Sequence, residues 1–186
     1  MGAMIWSGVR ERVEALARAD KAREAFGAWD KYGGTGHHFR LADPLSEANV
    51  AEAEAQWGVS LPADYRAFLL EVGAGGAGPF YGLTTLSRTD AGWLWSDPGG
   101  GTVHERLRFP FPDVEESVRA QAEHERKEPV GCGYFHWLVV SGPQRGQVWL
   151  DERPGDGRFS PHGHVGFADW YLDWVEKTEA VVRQGR

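Results

Sequence analysis

Apolar residues recur every three or four positions in four stretches of this chain, which is the spacing of one face of an α-helix. The four stretches cover residues 7–29, 46–57, 62–72 and 167–182. Ser46 has the side chain of an N-cap, Gly58 suits a left-handed C-terminal residue, and Pro62 suits a first helical turn. We therefore predict four helices in these stretches.

The first of these stretches stands apart from the other three. Its stripe consists of Val9, Val13, Leu16, Ala19, Ala22, Phe26 and Trp29. A single helix with one apolar stripe buries too little surface to fold alone. We therefore expect an N-terminal helix that packs on the main domain as an extension of it.

From Pro79 onward the apolar pattern changes to short runs divided by Gly, Pro and Asp, as in strands joined by turns. Strands are predicted over residues 80–86, 92–96, 102–109, 134–141 and 146–152, a polar helix over 114–127 and a turn over 154–157. The short connection between the last two strands predicts a hairpin. Helices, then strands, then a helix make an α+β order. We expect a single α+β domain with an antiparallel (mixed) β-sheet flanked by helices, plus an extra N-terminal helix.

The composition provides for a sizeable core and leaves two interpretations of the charge. The chain has 186 residues, of which 41% are apolar, with nine Trp and nine Phe. Nine Trp is high for this length, so some rings are expected to line a groove or an interface. The formal net charge of −7 argues against nucleic-acid binding, which needs clustered Lys and Arg. It suits either ordinary solubility or the docking of a basic protein partner, and both alternatives stay open.

Cysteine content and hydropathy favour a cytoplasmic protein. Cys132 is the single cysteine, which excludes an internal disulfide and a multi-cysteine metal site. The first residues lack the long apolar core of a signal peptide, and the sequence contains no run of about 18 apolar residues. We therefore expect a cytoplasmic protein with no membrane span.

Three patterns invite a catalytic or ligand-binding interpretation, and each has a more ordinary one. The glycine-rich residues 73–78 follow a helix and precede no nearby lysine, which favours a helix exit with close backbone packing over a phosphate loop. The histidines at 37 and 38 and at 162 and 164 fall short of the three or four ligands of a metal site. Cys132 lies four residues before His136, but a lone cysteine is commonly small buried filler. We predict no catalytic residue, no cofactor and no metal.

Two tryptophans and several acidic residues are candidates for contact with a partner. Trp93 and Trp95 alternate along a strand and point to one face, where they either fill the core against the terminal helix or wall a recognition groove. Asp151 and Glu152 are adjacent on a strand, so they point to opposite faces and cannot form an acid–base pair. The predicted partner-binding residues are Trp93, Trp95, Asp97, Asp151, Glu152 and Asp156.

Five short motifs follow one another along the chain. They are Leu61-Pro62-x-Asp64-Tyr65-Arg66-x-Phe68-Leu69, its glycine exit, Leu138-Val139-Val140-Ser141-Gly142, Gly146-x-Val148-Trp149-x-Asp151 and Phe167-x-x-Trp170-Tyr171-x-x-Trp174. In order and spacing they resemble the SUKH superfamily, which includes the Smi/Knr cell-wall regulators of fungi. The resemblance runs over residues 44–180 and implies an N-terminal helical extension, residues 1–40, followed by a SUKH domain, residues 41–186.

The resemblance implies a protein-binding module rather than an enzyme, because the family has no established catalytic residues to carry over. Bacterial members are largely taken to be immunity proteins that bind and neutralise toxin domains, often nucleases or deaminases. By this resemblance we expect a partner that is a basic toxin domain, covered stoichiometrically. Two alternatives stay open: a regulatory or scaffold protein related to cell-wall synthesis control, and a small enzyme that uses Cys132 or the histidines.

Overall fold

The structure, a computed structural model, describes residues 5–19, 21–29, 36–96, 135–152 and 158–183. Its helices are α1 (Val9–Leu16), α2 (Glu47–Trp57), α3 (Ala63–Glu71) and α4 (Phe167–Arg183), with one short 3₁₀ helix, Ala22–Glu24. Its strands are β1 (Thr85–Thr89), β2 (Gly92–Ser96), β3 (Phe135–Leu138), β4 (Gln147–Asp151) and β5 (Phe159–Gly166). The predicted strand at 102–109, the polar helix at 114–127 and the turn at 154–157 lie outside the described residues.

The N-terminal segment is not the continuous helix that its stripe predicted. After α1 the backbone continues through three-residue turns, in which the amides of Arg18 and Ala19 donate to the carbonyls of Ala15 and Leu16. In the later part of the stripe most steps are three residues, a spacing that suits the 3₁₀ conformation as well as the α-helix. Phe26 consequently lies on the surface instead of on a buried helical face.

Helices α2 and α3 begin and end where the sequence predicted. The Ser46 hydroxyl accepts a hydrogen bond from the amide of Asn49 at 3.2 Å, and Gly58 ends α2 with φ 65°. Pro62 directly precedes α3, and its carbonyl accepts the first helical hydrogen bond, from Arg66. The predicted stripe of α3, Tyr65, Phe68, Leu69 and Val72, is buried.

The motif around Pro62 is architectural. Asp64 lies in the first turn of α3, and its carboxylate accepts a hydrogen bond from the amide of Ala168 at 3.0 Å, at the start of α4. Arg66 bridges back to α2 through ion pairs with Glu47 and Glu54 at 2.6 and 3.2 Å. The motif therefore joins α3 to both neighbouring helices.

The strands of the described residues form two antiparallel sheets. Strands β1 and β2 make a hairpin, and β3, β4 and β5 make a three-stranded sheet with β4 in the centre. The predicted β3–β4 hairpin is confirmed, and the strand expected from residue 80 begins only at Thr85. Strand β5 was not predicted, because Pro161 and Gly163 within it are residues that strands usually lack. The order of elements confirms the α+β class.

The glycine-rich exit from α3 is a site of close backbone packing, as predicted. Gly76 exchanges two backbone hydrogen bonds with Leu83, at 3.1 and 2.7 Å. Gly75 adopts φ 142°, and a Cβ there would lie 2.5 Å from the carbonyl oxygen of Thr84. These residues are therefore glycine because the chain passes too close to itself for a side chain.

One hydrophobic core joins the N-terminal segment to the rest of the protein. Trp6 is buried, and its indole nitrogen donates to the carbonyl of Asp64 at 2.9 Å. Val9, Val13 and Leu16 of α1 belong to the same core cluster as α3 and α4. The N-terminal segment therefore packs on the main domain as expected, and the division at residue 40 stays a prediction.

Arg10 gives a test of how α1 is held. Its guanidinium donates to the carbonyls of Val72, at 2.6 Å, and Ala42, at 3.0 Å, so it satisfies a carbonyl at the end of α3. We expect Arg10→Ala to lower the free energy of unfolding by about 2 kcal/mol, measured by urea denaturation. The control is Arg18→Ala at an exposed position, where a change below about 0.5 kcal/mol is expected. Equal effects of the two substitutions would contradict this role.

Candidate partner-binding surface

Three exposed aromatic side chains meet on one side of the protein: Phe26, Phe80 and Tyr81, hereafter the aromatic surface. Their exposed fractions are 66%, 46% and 54%. The Phe26 ring meets Phe80 edge to face, with centroids 6.0 Å apart, and meets Tyr81 at 5.9 Å. Exposed aromatic residues that contact one another form a patch, which is a typical feature of interaction sites.

The backbone beneath the aromatic surface is tightly fitted. Gly27 adopts φ 75°, and a Cβ there would lie only 1.8 Å from the carbonyl oxygen of Phe80. Phe80 itself has φ 56°, in the left-handed region that a bulky residue rarely occupies. It follows Pro79, whose carbonyl accepts the amide of Gly82 at 3.1 Å to close the turn. Strained backbone of this kind is commonly held for function.

A layer of rings behind Phe80 connects the aromatic surface to the sheet and to α4. The ring of His136, on β3, stacks on Phe80 at 4.9 Å and lies 5.2 Å from Trp170 of α4 and 4.8 Å from His162 of β5. Burial, with a smaller contribution from the neighbouring His162, lowers the pKa of His136 to about 4. His136 is therefore neutral near pH 7, and Phe80 rests on an uncharged stack.

A small cleft opens beside the aromatic surface. Its lining residues are Arg23, Glu24, Ala25, Phe26, Gly27, Trp29 and Tyr81, and its volume is about 80 Å³. The Trp29 indole is fixed by a hydrogen bond to the carbonyl of Ala22 at 2.9 Å. Small-molecule pockets usually start near 300 Å³, so this cleft is sized for one side chain or a small group.

Comparison with known protein families shows what kind of scaffold carries this surface. The model of the SMI1 / KNR4 family (SUKH-1) matches residues 44–171, more than half of the chain. The chain belongs to the SMI1/KNR4 (SUKH-1) family. No curated protein and no solved structure gives a match. The family match includes Phe80 and Tyr81 but begins after Phe26, so the aromatic surface draws on both the matched residues and the segment before them.

The two tryptophans predicted as partner contacts lie in the core of this SUKH-1 protein. Trp95 stacks on Trp57 at 4.2 Å, and its indole nitrogen donates to the hydroxyl of Tyr65 at 2.9 Å. The backbone of Trp93 is held by Gln56 through two hydrogen bonds of 2.7 Å. The Trp93 amide donates to Oε1 of Gln56, and Nε2 of Gln56 donates to the Trp93 carbonyl. Of the two alternatives for these rings, the described residues support core filling. The packing is against α2 and α3, whereas the sequence suggested the terminal helix.

The predicted acidic contacts differ in their surroundings. Asp151 is buried, and one of its carboxylate oxygens accepts the indole N–H of Trp137 at 3.3 Å. Glu152 is half-buried and continues the strand pairing by donating its amide to Arg158. Asp97 and Asp156 lie outside the described residues. Contact of these four residues with a partner stays a prediction.

The histidines of the metal and enzyme alternatives do not come together as a set of metal ligands within the described ranges. No group of three or more His, Cys, Asp or Glu side chains that could hold a metal ion occurs among those residues. The ring of His37 packs on Phe39 and Trp174, at 5.2 and 5.7 Å, instead of pairing with another potential ligand. Cys132 lies outside the described residues. None of the helices in the described part of the chain has the length and apolar composition needed to cross a membrane.

Sequence reasoning missed all three residues of the aromatic surface. The spacing predicted a helical stripe that includes Phe26 and a strand that includes Phe80 and Tyr81, and none of the three was predicted as a partner contact. The available signal was local: Phe80 and Tyr81 stand between Pro79 and Gly82, and Phe26 precedes Gly27. Aromatic residues flanked by turn formers tend to lie on loops, where burial on a regular face is not required.

Gly27 and Gly8 form a matched pair for testing the close approach under Phe26. Both have left-handed backbone, with φ 75° and 72°, but a Cβ on Gly8 would meet nothing within 4 Å. We expect Gly8→Ala to cost about 1 kcal/mol of unfolding free energy, from backbone strain alone. Gly27→Ala is expected to cost clearly more, because the backbone of Phe80 must also move. Urea denaturation measures both, and equal losses would show that the Gly27–Phe80 contact contributes nothing.

The buried histidines make stability depend on pH in one direction. Burial and the neighbouring His38 lower the pKa of His37 to about 4, the same value as for His136. Between pH 6.5 and 4 the unfolded chain therefore binds protons on both imidazoles while the folded chain does not. We expect the free energy of unfolding to fall as the pH is lowered through this interval.

The histidine contribution can be separated from that of the carboxylates by substitution. His37→Gln and His136→Gln should each reduce the slope of the unfolding free energy against pH between pH 6.5 and 4. The reduction should correspond to the uptake of up to about one proton fewer on unfolding. Measurements between pH 7 and 8 are the internal control, since the wild type and each variant should then have parallel pH profiles. An unchanged slope in both variants at acidic pH would contradict the role of burial.

Proposed function

We propose that this chain is a protein-binding module that neutralises a toxin domain, of nuclease or deaminase type, by covering its functional surface in the cytoplasm. The single observation that carries the proposal is the aromatic surface of Phe26, Phe80 and Tyr81, displayed by a chain of the SUKH-1 family. Such a module acts by stoichiometric occlusion and needs no catalytic group. A surface of aromatic rings carried on turns fits this mode of action.

The energetics of association favour such a surface. Aromatic residues supply a large contact area with few rotatable bonds, and they dominate binding energies in many interfaces. Here the backbone on which they stand is fixed by the close contact of Gly27 with Phe80, and the Phe80 ring is backed by His136. A ring that is already ordered loses less entropy on binding than a mobile one.

Charge supports a basic partner. The net charge of −7 gives the protein a long-range attraction for a positively charged surface, which raises the association rate. Salt screens such attraction over a distance of about 10 Å at 0.1 M ionic strength. In the proposed complex the charges therefore determine chiefly the association rate, and the rings determine the dissociation rate.

The proposal predicts rescue of cells from a toxin. The chain is co-expressed in a bacterial host with toxin domains encoded beside its gene, and survival is scored. The double variant Phe26→Ser, Tyr81→Ser should lose rescue, and binding measured by calorimetry should weaken about 100-fold, at roughly 1–2 kcal/mol per ring. Both residues are more than half exposed, so the fold should be retained, which circular dichroism checks.

A matched substitution controls for general surface effects. Val181→Ser removes an exposed apolar side chain, 40% accessible, that does not belong to the aromatic surface, and it should rescue like the wild type. Absence of rescue by the wild type against every adjacent toxin would overturn the immunity function and favour the regulatory alternative. Full rescue by the double variant would show instead that another surface binds the toxin.

A further inference from the structure

The cleft beside the aromatic surface combines two features that recognise a positive charge. Phe26, Trp29 and Tyr81 supply aromatic walls, whose ring faces attract cations. Glu24 lines the same cleft together with Arg23, and the carboxylate of a glutamate binds ammonium or guanidinium groups through charge-assisted hydrogen bonds. Together these residues make a surface for a cationic group.

Cations of the chain itself already occupy parts of this arrangement. The guanidinium carbon of Arg23 lies over the Trp29 ring, 5.3 Å from its centroid. The ammonium of Lys21 lies 3.7 Å from a carboxylate oxygen of Glu24. Arg23 and Glu24 are exposed, and at exposed sites a cation–π contact or an ion pair contributes little, so an incoming cation can replace either internal partner. Arg23 thus shows which chemical group the face of Trp29 accepts.

We infer that this cleft binds one arginine or lysine side chain of the partner protein, with its head group against Trp29 and Tyr81 and paired with Glu24. The inference rests on the proposed function, because it takes the partner to be a protein with a basic surface. A cleft of about 80 Å³ suits a single guanidinium or ammonium group. Arginine is the better fit, since its planar group both stacks on rings and pairs with a carboxylate.

A short peptide tests the site without the toxin. The probe is the capped tripeptide acetyl-Gly-Arg-Gly-amide, titrated into the whole protein while NMR follows the indole N–H signal of Trp29, assigned with Trp29→Phe. Binding in the millimolar range is expected. Glu24→Gln should weaken it about 2- to 5-fold, as expected for one exposed ionic contact. Arg23→Ala should strengthen it, because it removes the cation that competes for Trp29.

Matched controls make the outcome decisive. Glu52→Gln, which removes an exposed carboxylate on α2 that pairs with Arg88, should leave the peptide affinity unchanged. The same peptide with citrulline, which has the shape of arginine without its charge, should not bind. Equal binding of the citrulline peptide, weaker binding to Arg23→Ala, or stronger binding of tetramethylammonium than of the arginine peptide would overturn the assignment.

The peptide result and the toxin result are independent. If the wild type rescues cells but the peptide does not bind, the cation site is wrong and the immunity function stands. If the peptide binds as expected but no toxin is neutralised, the cation site stands and the proposed function is wrong. The two hypotheses can therefore fail separately.

Discussion

The packing around Phe68 is the interaction on which the rest of the structure depends. Its fully buried ring meets Trp6 at 5.3 Å, Phe167 at 5.2 Å and Tyr171 at 4.8 Å, each close to edge-to-face. These rings come from the N-terminal segment, from α3 and from α4, so one cluster joins three distant parts of the chain. The polar atoms are satisfied as well, because the Tyr171 hydroxyl donates to the carbonyl of Ala77 at 2.9 Å. Truncating the Phe68 side chain would remove the ring that contacts all three partners.

This central cluster also fixes the two sides of the aromatic surface. On one side, Trp6 and α1 hold the N-terminal segment, which then brings Phe26 and Gly27 against Phe80. On the other side, α4 begins at Phe167 and places Trp170 behind His136, the ring on which Phe80 rests. The exposed rings therefore stand on a backbone anchored from two directions. That explains how a left-handed Phe80 is maintained in a turn.

The sequence predicted the elements whose causes are local. Ser46, Gly58 and Pro62 marked the ends of α2 and α3 because capping depends on a few neighbouring residues. The resemblance to the SUKH superfamily also held, since it rests on ordered motifs. The strand alternation of Trp93 and Trp95 correctly gave them a shared environment, since both are buried. Alternation cannot tell, however, whether that environment is a core or a groove.

The errors arose where tertiary packing decides the outcome. Residues 22, 26 and 29 have helical spacing, but the chain turns there because it must return across the backbone of Phe80. Strand β5 contains Pro161 and Gly163, yet it pairs with β4 because the sheet supplies its hydrogen bonds. Both decisions depend on contacts between residues far apart in the sequence. Composition and periodicity contain no such information.

The two halves of the N-terminal segment serve different purposes. Residues 6–16 are structural, because Trp6, Val9 and Val13 fill the core under α3 and α4. Residues 23–27 and Trp29 instead line the surface cleft, and they include Phe26. Both halves precede the family match, which begins at residue 44. The residues of the family match alone would thus present Phe80 and Tyr81 without Phe26, Glu24 or Trp29, so the proposed preference for a cation depends on the segment before them.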